Sequence, residues 1–173
     1  TDKDIKATAE LLVPQMKAEG ADIIVAIPHS GINTTAYSED AKAENSSWYL
    51  ADVDGIDAIM FGHSHLTFPS NSFAGTANVD LEKGTIKGVP SVMPGFWGSH
   101  LGLIDLMLER DGNGWRIASH SAEARAISQR NEDRSVMALV ESDPEVLASV
   151  REEHEETLAY VRRAVGKTDA NLH

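Results

Sequence analysis

The sequence contains no cysteine among its 173 residues, and its basic side chains are few. The absence of cysteine excludes disulfide frameworks, thiolate zinc sites and cysteine nucleophiles. Fifteen Lys and Arg residues against 27 Asp and Glu give a net charge of −12, which would repel a phosphate backbone. We therefore expect no nucleic-acid polymer as a partner, and any metal chemistry must use histidine and carboxylate ligands.

Long apolar runs and several well-known catalytic loops are also missing. No segment approaches the roughly 18 apolar residues that cross a bilayer, so no membrane partner is expected. The sequence has no Gly-x-x-x-x-Gly-Lys loop, no Gly-x-Ser-x-Gly elbow and no dinucleotide fingerprint, which excludes P-loop, serine-hydrolase and Rossmann chemistry. The composition, with 42% hydrophobic and 24% charged residues, is typical of a globular domain with a packed core.

Two units of a helix followed by a strand open the chain. Apolar residues spaced by four predict a helix over residues 4–17, and the apolar run 22–27 predicts a strand buried on both faces. Asn45 is a candidate cap for a second helix, and residues 58–61 predict a second buried strand. Strands that alternate with helices indicate a parallel α/β sheet, whose ligand crevice lies at the carboxyl ends of the strands.

The middle of the chain predicts a loop and then further strands. Residues 66–87 are rich in Ser, Asn, Gly and Thr, which indicates a long surface loop without regular structure. Strands are predicted over residues 89–94 and 102–109, and the Asp-Gly-Asn-Gly turn at 111–114 predicts an antiparallel return over 115–127.

The last part of the chain predicts a connecting helix. Asp143 followed by Pro144 is typical of a helix start, and the helix is expected to continue to Gly166. We therefore divide the chain into residues 1–130, the core domain, and 131–173, a linker with the connecting helix. Because the first residue is not methionine, we expect a piece excised from a longer polypeptide.

Three of the seven histidines lie in turns that follow the predicted strands, at His29, His63 and His65. Their Gly and Ser neighbours allow close approach, which leaves the imidazoles free to bind a metal or a substrate. His63 and His65 are one residue apart, so their rings should face different sides and suit two adjacent ions. Such a pair of ions activates water for a phosphoryl displacement. Further residues that could line the same crevice are Ser30, Gly31, Asn33, Ser64 and His100.

The remaining aromatic residues and histidines of interest are interpreted as structural rather than as ligands of a metal or a substrate. Four aromatic residues could stack a nucleobase, but their positions favour packing in the core or at its rim: Trp48, Tyr49, Phe96 and Trp97. Three further histidines are interpreted as having no part in metal binding: His120, His154 and His173.

Three segments together resemble a known family, the calcineurin-like metallophosphoesterase domain of the bacterial 5′-nucleotidase superfamily. They are Ile-Pro-His-Ser-Gly at 27–31, the segment 55–65 that ends in Gly-His-Ser-His, and residues 89–102. The similarity extends over essentially the whole chain, and it corresponds to the second half of that catalytic domain. Within the superfamily, the chain is most similar to the branch that acts on 2′,3′-cyclic nucleotides.

The resemblance implies part of a four-layer α/β/β/α sandwich that holds two divalent metal ions, which could be Mn, Co, Zn or Fe. By match to the family motifs, His29 and His63 would bind one ion and His65 the other. The remaining metal ligands and the catalytic histidine of the family precede this segment. We therefore expect weak or partial metal binding, no catalytic residues beyond the metal ligands, and no activity in the chain alone.

The resemblance also implies a reaction and a location for the parent protein. It would be a periplasmic hydrolase that opens 2′,3′-cyclic nucleotides to 3′-nucleotides and hydrolyses these to nucleoside and phosphate, with a nucleotide-binding domain after residue 173. One alternative is a 5′-nucleotidase or another phosphomonoesterase, because the metal motifs do not read the ribose position. Another is a non-catalytic metal-binding domain. Half of a sandwich would expose a sheet edge, through which the chain could self-associate.

Overall fold

The computed structural model describes residues 3–167, which form two compact units, one ending at Met137 and one beginning at Ala138. The α/β class predicted from the sequence is confirmed. The helices are α1 (Ile5–Ala18), α2 (Ser47–Leu50), α3 (Pro144–Ser149) and α4 (Arg151–Val161), with a 3₁₀ turn at Asn71–Phe73. The strands are β1 (Val25–Ala26), β2 (Ala58–Met60), β3 (Thr67–Phe68), β4 (Val79–Asp80), β5 (Thr85–Ile86), β6 (Val89–Pro94), β7 (His100–Asp111), β8 (Gly114–Ala126), β9 (Ser128–Arg130) and β10 (Val136–Ala138). Among the described residues, no helix is long and apolar enough to span a membrane.

The first unit is built on a mixed sheet with the strand order β1-β2-β6-β5-β4. Strands β1, β2 and β6 run parallel, with Val25 opposite Ala58 and Ile59 opposite Ser91. Strands β3 and β5 pair antiparallel with β6, and β4 pairs antiparallel with β5. The predicted parallel arrangement is therefore confirmed for the strands that precede the histidine turns, and it brings their carboxyl ends to one edge.

Helix α1 forms where the sequence predicts it, because local residues mark both its start and its end. Asp4 caps the helix by accepting a hydrogen bond from the Ala7 amide at 2.9 Å, and Gly20 follows its end with φ at 103°. The Tyr37 hydroxyl donates a hydrogen bond to the same Asp4 carboxylate at 2.8 Å. Partial burial and this bond raise the pKa of Tyr37 to about 12. The cap thus also anchors the loop that follows β1.

Residues 66–87 contain regular structure, so the prediction of a loop without any is wrong. Strands β3, β4 and β5 and the 3₁₀ turn all lie in this segment. Phe68, Phe73 and Ile86 are buried in the hydrophobic core, and Phe68 contacts Phe61 at a ring-centroid distance of 5.7 Å. The segment has no apolar periodicity because its few apolar residues are separated by polar turns, yet these three pack in the core.

Strand β1 is not buried on both faces, contrary to the sequence prediction. It is the outermost strand of its sheet, and no other strand of residues 3–167 pairs with its outer edge. Val25 is exposed, and Ile27 just beyond the strand is 77% exposed, whereas Ile24 is buried in the core. The apolar run at 22–27 therefore places Ile24 in the core with Ala26 packed against it, and leaves Val25 and Ile27 exposed.

The hairpin of β7 and β8 agrees with the prediction from its turn. The strands pair from His100 opposite Ala126 to Asp111 opposite Gly114, and Gly112 adopts φ of 61° at the tip. A β-carbon at Gly84 would lie 2.5 Å from the Ala122 carbonyl oxygen. The absence of a side chain at Gly84 therefore lets the hairpin approach the core.

The second unit contains the predicted helix start, but the helix is interrupted. Asp143 accepts hydrogen bonds from the next two free backbone amides, as expected of a cap before Pro144. At Val150 the backbone leaves helical geometry, with φ at −108°, and α4 then ends at Val161. The prediction of one continuous helix to Gly166 is therefore wrong. His173, which the sequence analysis interprets as having no part in metal binding, lies outside the described residues.

Candidate metal centre

The two histidine turns meet at the carboxyl ends of β1 and β2. The His29 and His63 rings contact each other edge to face, with their centroids 5.1 Å apart and an interplanar angle of 75°. Two imidazoles that bind one ion at the usual metal–nitrogen distance of about 2.1 Å have centroids roughly 5 Å apart. The separation of this pair therefore fits a shared ion.

The turn that carries His63 and His65 has a left-handed backbone at both histidines. Their φ angles are 73° and 56°, values that are unfavourable for residues with a side chain and that cluster at ligand-binding sites. The His65 ring stacks on Phe96, with centroids 4.9 Å apart and an interplanar angle of 22°. The two rings of the turn thus have different neighbours.

Glu44 is a potential site residue that the sequence analysis did not single out. Its Oε1 atom lies 2.7 Å from Nε2 of His63, and its side chain is largely exposed. A carboxylate in this position fixes the orientation of an imidazole and adds negative charge beside it. No spacing rule connects residues 44 and 63, because Glu44 lies in the loop before α2 and His63 in the turn after β2.

Ser30 fixes the turn that carries His29. Its hydroxyl donates a hydrogen bond to the Glu44 carbonyl at 2.7 Å and accepts one from the Ser46 amide at 2.6 Å. The Ser47 hydroxyl in turn donates to the Ser30 carbonyl at 2.7 Å. Ser30 is fully buried, so it supports the turn from below.

Asn45 does not cap α2, contrary to the sequence prediction. Ser46 holds the cap position, and Asn45 Oδ1 accepts a hydrogen bond from the Gly31 amide at 2.9 Å. A β-carbon at Gly31 would lie 2.5 Å from that oxygen. The side-chain oxygen of Asn45 therefore accepts a long-range hydrogen bond, which connects the His29 turn to the start of α2.

Replacing Asn45 with alanine is expected to destabilise the chain by about 1–2 kcal/mol, because the buried Gly31 amide loses its acceptor. The free energy of unfolding in urea measures this loss. Asn33→Ala is the matched control, since the Asn33 side chain accepts an exposed hydrogen bond from the Thr35 amide. We expect its effect to stay within about 0.5 kcal/mol. Equal losses in both variants would contradict the role given to Asn45.

The remaining residues that were expected near the crevice occupy different positions. His100 and His29 line one cleft of about 430 Å³, together with Gly62 and apolar side chains. The His100 Nδ1 atom lies 2.9 Å from the neighbouring Ser99 hydroxyl. The Ser64 hydroxyl donates a hydrogen bond to Met93 Sδ at 3.4 Å.

The aromatic candidates divide into two groups. Trp48 and Tyr49 are buried in the core, which agrees with the packing interpretation. Trp97, in contrast, is 93% exposed, so that interpretation is wrong for this residue. Its ring contacts Phe96 edge to face, with centroids 4.9 Å apart. An exposed tryptophan thus lies next to the residue that supports His65.

The described residues do not by themselves form a complete metal site. Between residues 3 and 167, no group of three or more His, Asp and Glu side chains is arranged to hold a metal ion. Neutral imidazoles without carboxylates bind a divalent ion weakly, and two such ions would repel each other. The His29 and His63 pair fits a metal, but a complete two-ion centre requires ligands in addition to those in the described range.

Similar proteins are found over the full length of the chain. It is 42% identical to the 2′,3′-cyclic-nucleotide 2′-phosphodiesterase/3′-nucleotidase of Salmonella typhimurium over 173 residues, which is 100% of this chain and 26% of that protein. The protein of the same name from Yersinia enterocolitica is 42% identical over 170 residues, 98% of this chain and 25% of the relative. The trifunctional nucleotide phosphoesterase protein YfkN of Bacillus subtilis is 42% identical over 172 residues, 99% of this chain and 11% of that protein.

A solved structure agrees with these relatives. The crystal structure of calcineurin-like phosphoesterase YfkN from Bacillus subtilis superposes with a TM-score of 0.78 and 41% identity, covering 93% of this chain and 46% of that chain. No protein-family model matches the sequence. The chain spans about a quarter or less of the length of the curated relatives described above.

Proposed function

Since this chain belongs to the calcineurin-like phosphoesterases, we propose that it supplies the histidine ligands of a two-metal nucleotide phosphohydrolase. The observation that carries the proposal is the contact of the His29 and His63 rings at 5.1 Å, at the carboxyl ends of neighbouring parallel strands. Ligand sites in sheets of this kind lie at that edge. The remaining ligands, which the family resemblance places in a preceding segment, would complete the centre.

Each residue of the candidate metal centre then has a defined role. His29 and His63 hold one ion and His65 holds the other, while Glu44 orients the His63 ring through its 2.7 Å contact. The buried bonds of Ser30 keep His29 in place before any ion binds. Divalent ions, when bound, supply Lewis-acid activation of water and of the phosphoryl oxygens.

The substrates proposed for the whole protein are 2′,3′-cyclic nucleotides, opened to 3′-nucleotides, and the 3′-nucleotides themselves. Support comes from the names of the relatives from Salmonella typhimurium and Yersinia enterocolitica. A second candidate is a broader phosphomonoesterase that includes 5′-nucleotides, because the chain is equally identical, at 42%, to a relative named as trifunctional. The periplasmic location expected from the resemblance belongs to the same proposal.

Substrate rates with the intact protein that contains this chain test the proposal. With Mn²⁺ present, we expect hydrolysis of 2′,3′-cyclic AMP and 3′-AMP, with slower release of phosphate from 5′-AMP. EDTA should abolish all three rates. A dominant rate on 5′-AMP would favour the second candidate. Metal binding without hydrolysis of any of the three would overturn the enzyme assignment and leave a metal-binding domain.

A further inference from the structure

We infer that residues 44–47 position the ligands of one metal ion and not those of the other, with Glu44 as the positioning residue for His63. This segment contacts both turns that carry the proposed ligands of one ion, His29 and His63. The ring of His65, the proposed ligand of the second ion, stacks instead on Phe96. The inference rests on the proposed function, because it assumes a centre with two ions.

Segment 44–47 holds the turn after His29 through buried hydrogen bonds. The Ser47 amide donates to the Gly31 carbonyl at 3.0 Å, and the Ser47 hydroxyl donates to the Ser30 carbonyl at 2.7 Å. The Gly31 amide donates to Asn45 Oδ1 at 2.9 Å. Ser30 and Ser47 are fully buried, so a shift of the His29 turn would leave buried polar groups without partners.

The first residue of the segment contacts both histidine turns. The Glu44 carbonyl accepts a hydrogen bond from the Ser30 hydroxyl at 2.7 Å, and Glu44 Oε1 lies 2.7 Å from Nε2 of His63. A carboxylate that accepts the proton of one ring nitrogen leaves the other nitrogen of a neutral imidazole free to bind a metal. Glu44 therefore sets the orientation of the His63 ring relative to the turn that carries His29.

His65 is supported by a different part of the fold. Its ring stacks on Phe96, in the turn after β6, with centroids 4.9 Å apart. The hydroxyl of the preceding residue, Ser64, donates a hydrogen bond to Sδ of Met93 on β6 at 3.4 Å. Strand β6 and its following turn thus support His65, whereas segment 44–47 supports His29 and His63. Loss of the Glu44 carboxylate should therefore affect the two ions unequally.

The metal content of the intact protein, equilibrated with buffered Mn²⁺, tests the inference. Glu44→Ala should weaken the binding of one ion by about 10- to 100-fold, the usual effect of losing the partner of a metal-bound histidine, and leave the other unchanged. Glu44→Gln should recover most of that affinity, because its amide oxygen can still accept the Nε2 proton. Glu39→Ala is the matched control, since it removes an equal charge from the same loop beside α1, and both ions should stay bound.

Pairs of substitutions identify the ion that is affected. Glu44→Ala combined with His65→Ala should leave no tightly bound ion, because each change acts on a different site. Glu44→Ala combined with His29→Ala should hold the same single ion as His29→Ala alone, because both changes then act on one site. The opposite pattern would assign Glu44 to the ion of His65 and overturn the inference.

Metal binding and hydrolysis fail separately in this experiment. Unchanged affinities in Glu44→Ala, or equal weakening of both ions, would overturn the inference while hydrolysis by the unmodified protein still supports the proposed function. If the unmodified protein instead binds two ions and hydrolyses none of the nucleotides, the proposed reaction is overturned. Selective loss of one ion in Glu44→Ala, with recovery in Glu44→Gln, would then still support the positioning role.

Discussion

Replacing His65 with alanine is expected to lower the turnover of 2′,3′-cyclic AMP by the intact protein by at least about 100-fold. Loss of a residue that merely supports a metal ligand costs about 10- to 100-fold, and loss of the ligand itself costs more. Steady-state rates at saturating Mn²⁺, together with the metal content of the purified variant, measure the effect. The fold should persist, because the His65 side chain is exposed.

Two further variants make this result interpretable. The backbone at His65 is left-handed, with φ at 56°, so alanine there retains a strain that glycine does not have. His65→Gly should therefore be as inactive as His65→Ala if the imidazole is what matters. His154→Ala, on the exposed face of α4, should leave turnover unchanged. Near-normal rates and metal content in His65→Ala would refute the assignment of His65 as a ligand.

Replacing Phe68 with alanine is expected to destabilise the chain by about 3–5 kcal/mol. Phe68 is fully buried, and its ring packs against Phe61 and Phe73 at centroid distances of 5.7 and 5.4 Å. Removal of a buried phenylalanine loses its transfer free energy and leaves a cavity. The free energy of unfolding in urea, followed by far-UV circular dichroism, gives the magnitude.

A loss of this size could prevent folding altogether, so a milder variant accompanies it. Phe68→Leu should cost less than about 1.5 kcal/mol and remain folded. Leu66→Ala, two residues earlier at an exposed position, should change stability by no more than about 0.5 kcal/mol. If Phe68→Ala were as harmless as Leu66→Ala, the segment 66–87 would be the unstructured surface loop that the sequence predicts.

The elements that were predicted correctly carry their signals within a few residues. Asp4 and Gly20 delimit α1, the turn around Gly112 specifies a hairpin, and Asp143 with Pro144 starts α3. Such caps and turns depend on backbone chemistry that neighbouring residues decide. Local patterns therefore located these elements within one or two residues.

The elements that were missed depend on contacts distant in sequence. Phe68 is a single apolar residue in a polar stretch, and its burial follows from the pairing of β3 with β6. Whether Ile27 is covered depends on which strands lie beside β1, and a one-dimensional pattern does not specify neighbours. The break at Val150 interrupts an apolar spacing that is itself consistent with one long helix.

In the candidate site, too, some features follow from a general rule and others depend on contacts between distant segments. That His29 and His63 would lie close together follows from the rule that parallel strands end at one edge, and the structure places their rings in contact. The contact of Glu44 with His63, the bond of Asn45 to Gly31 and the outward ring of Trp97 do not follow from any such rule. Each depends on left-handed turns or on packing between segments.

The bonds between Ser30 and the Glu44 carbonyl, and between Gly31 and Asn45, close a loop at its base. Residues 38–42, at the far side of that loop, are exposed and are bonded to one another through two short turns. Lengthening an already closed loop costs little entropy, because the cost grows with the logarithm of its length. The chain can therefore accept an inserted peptide at 38–42, such as an affinity tag or a fluorophore-binding sequence, while His29 keeps its place.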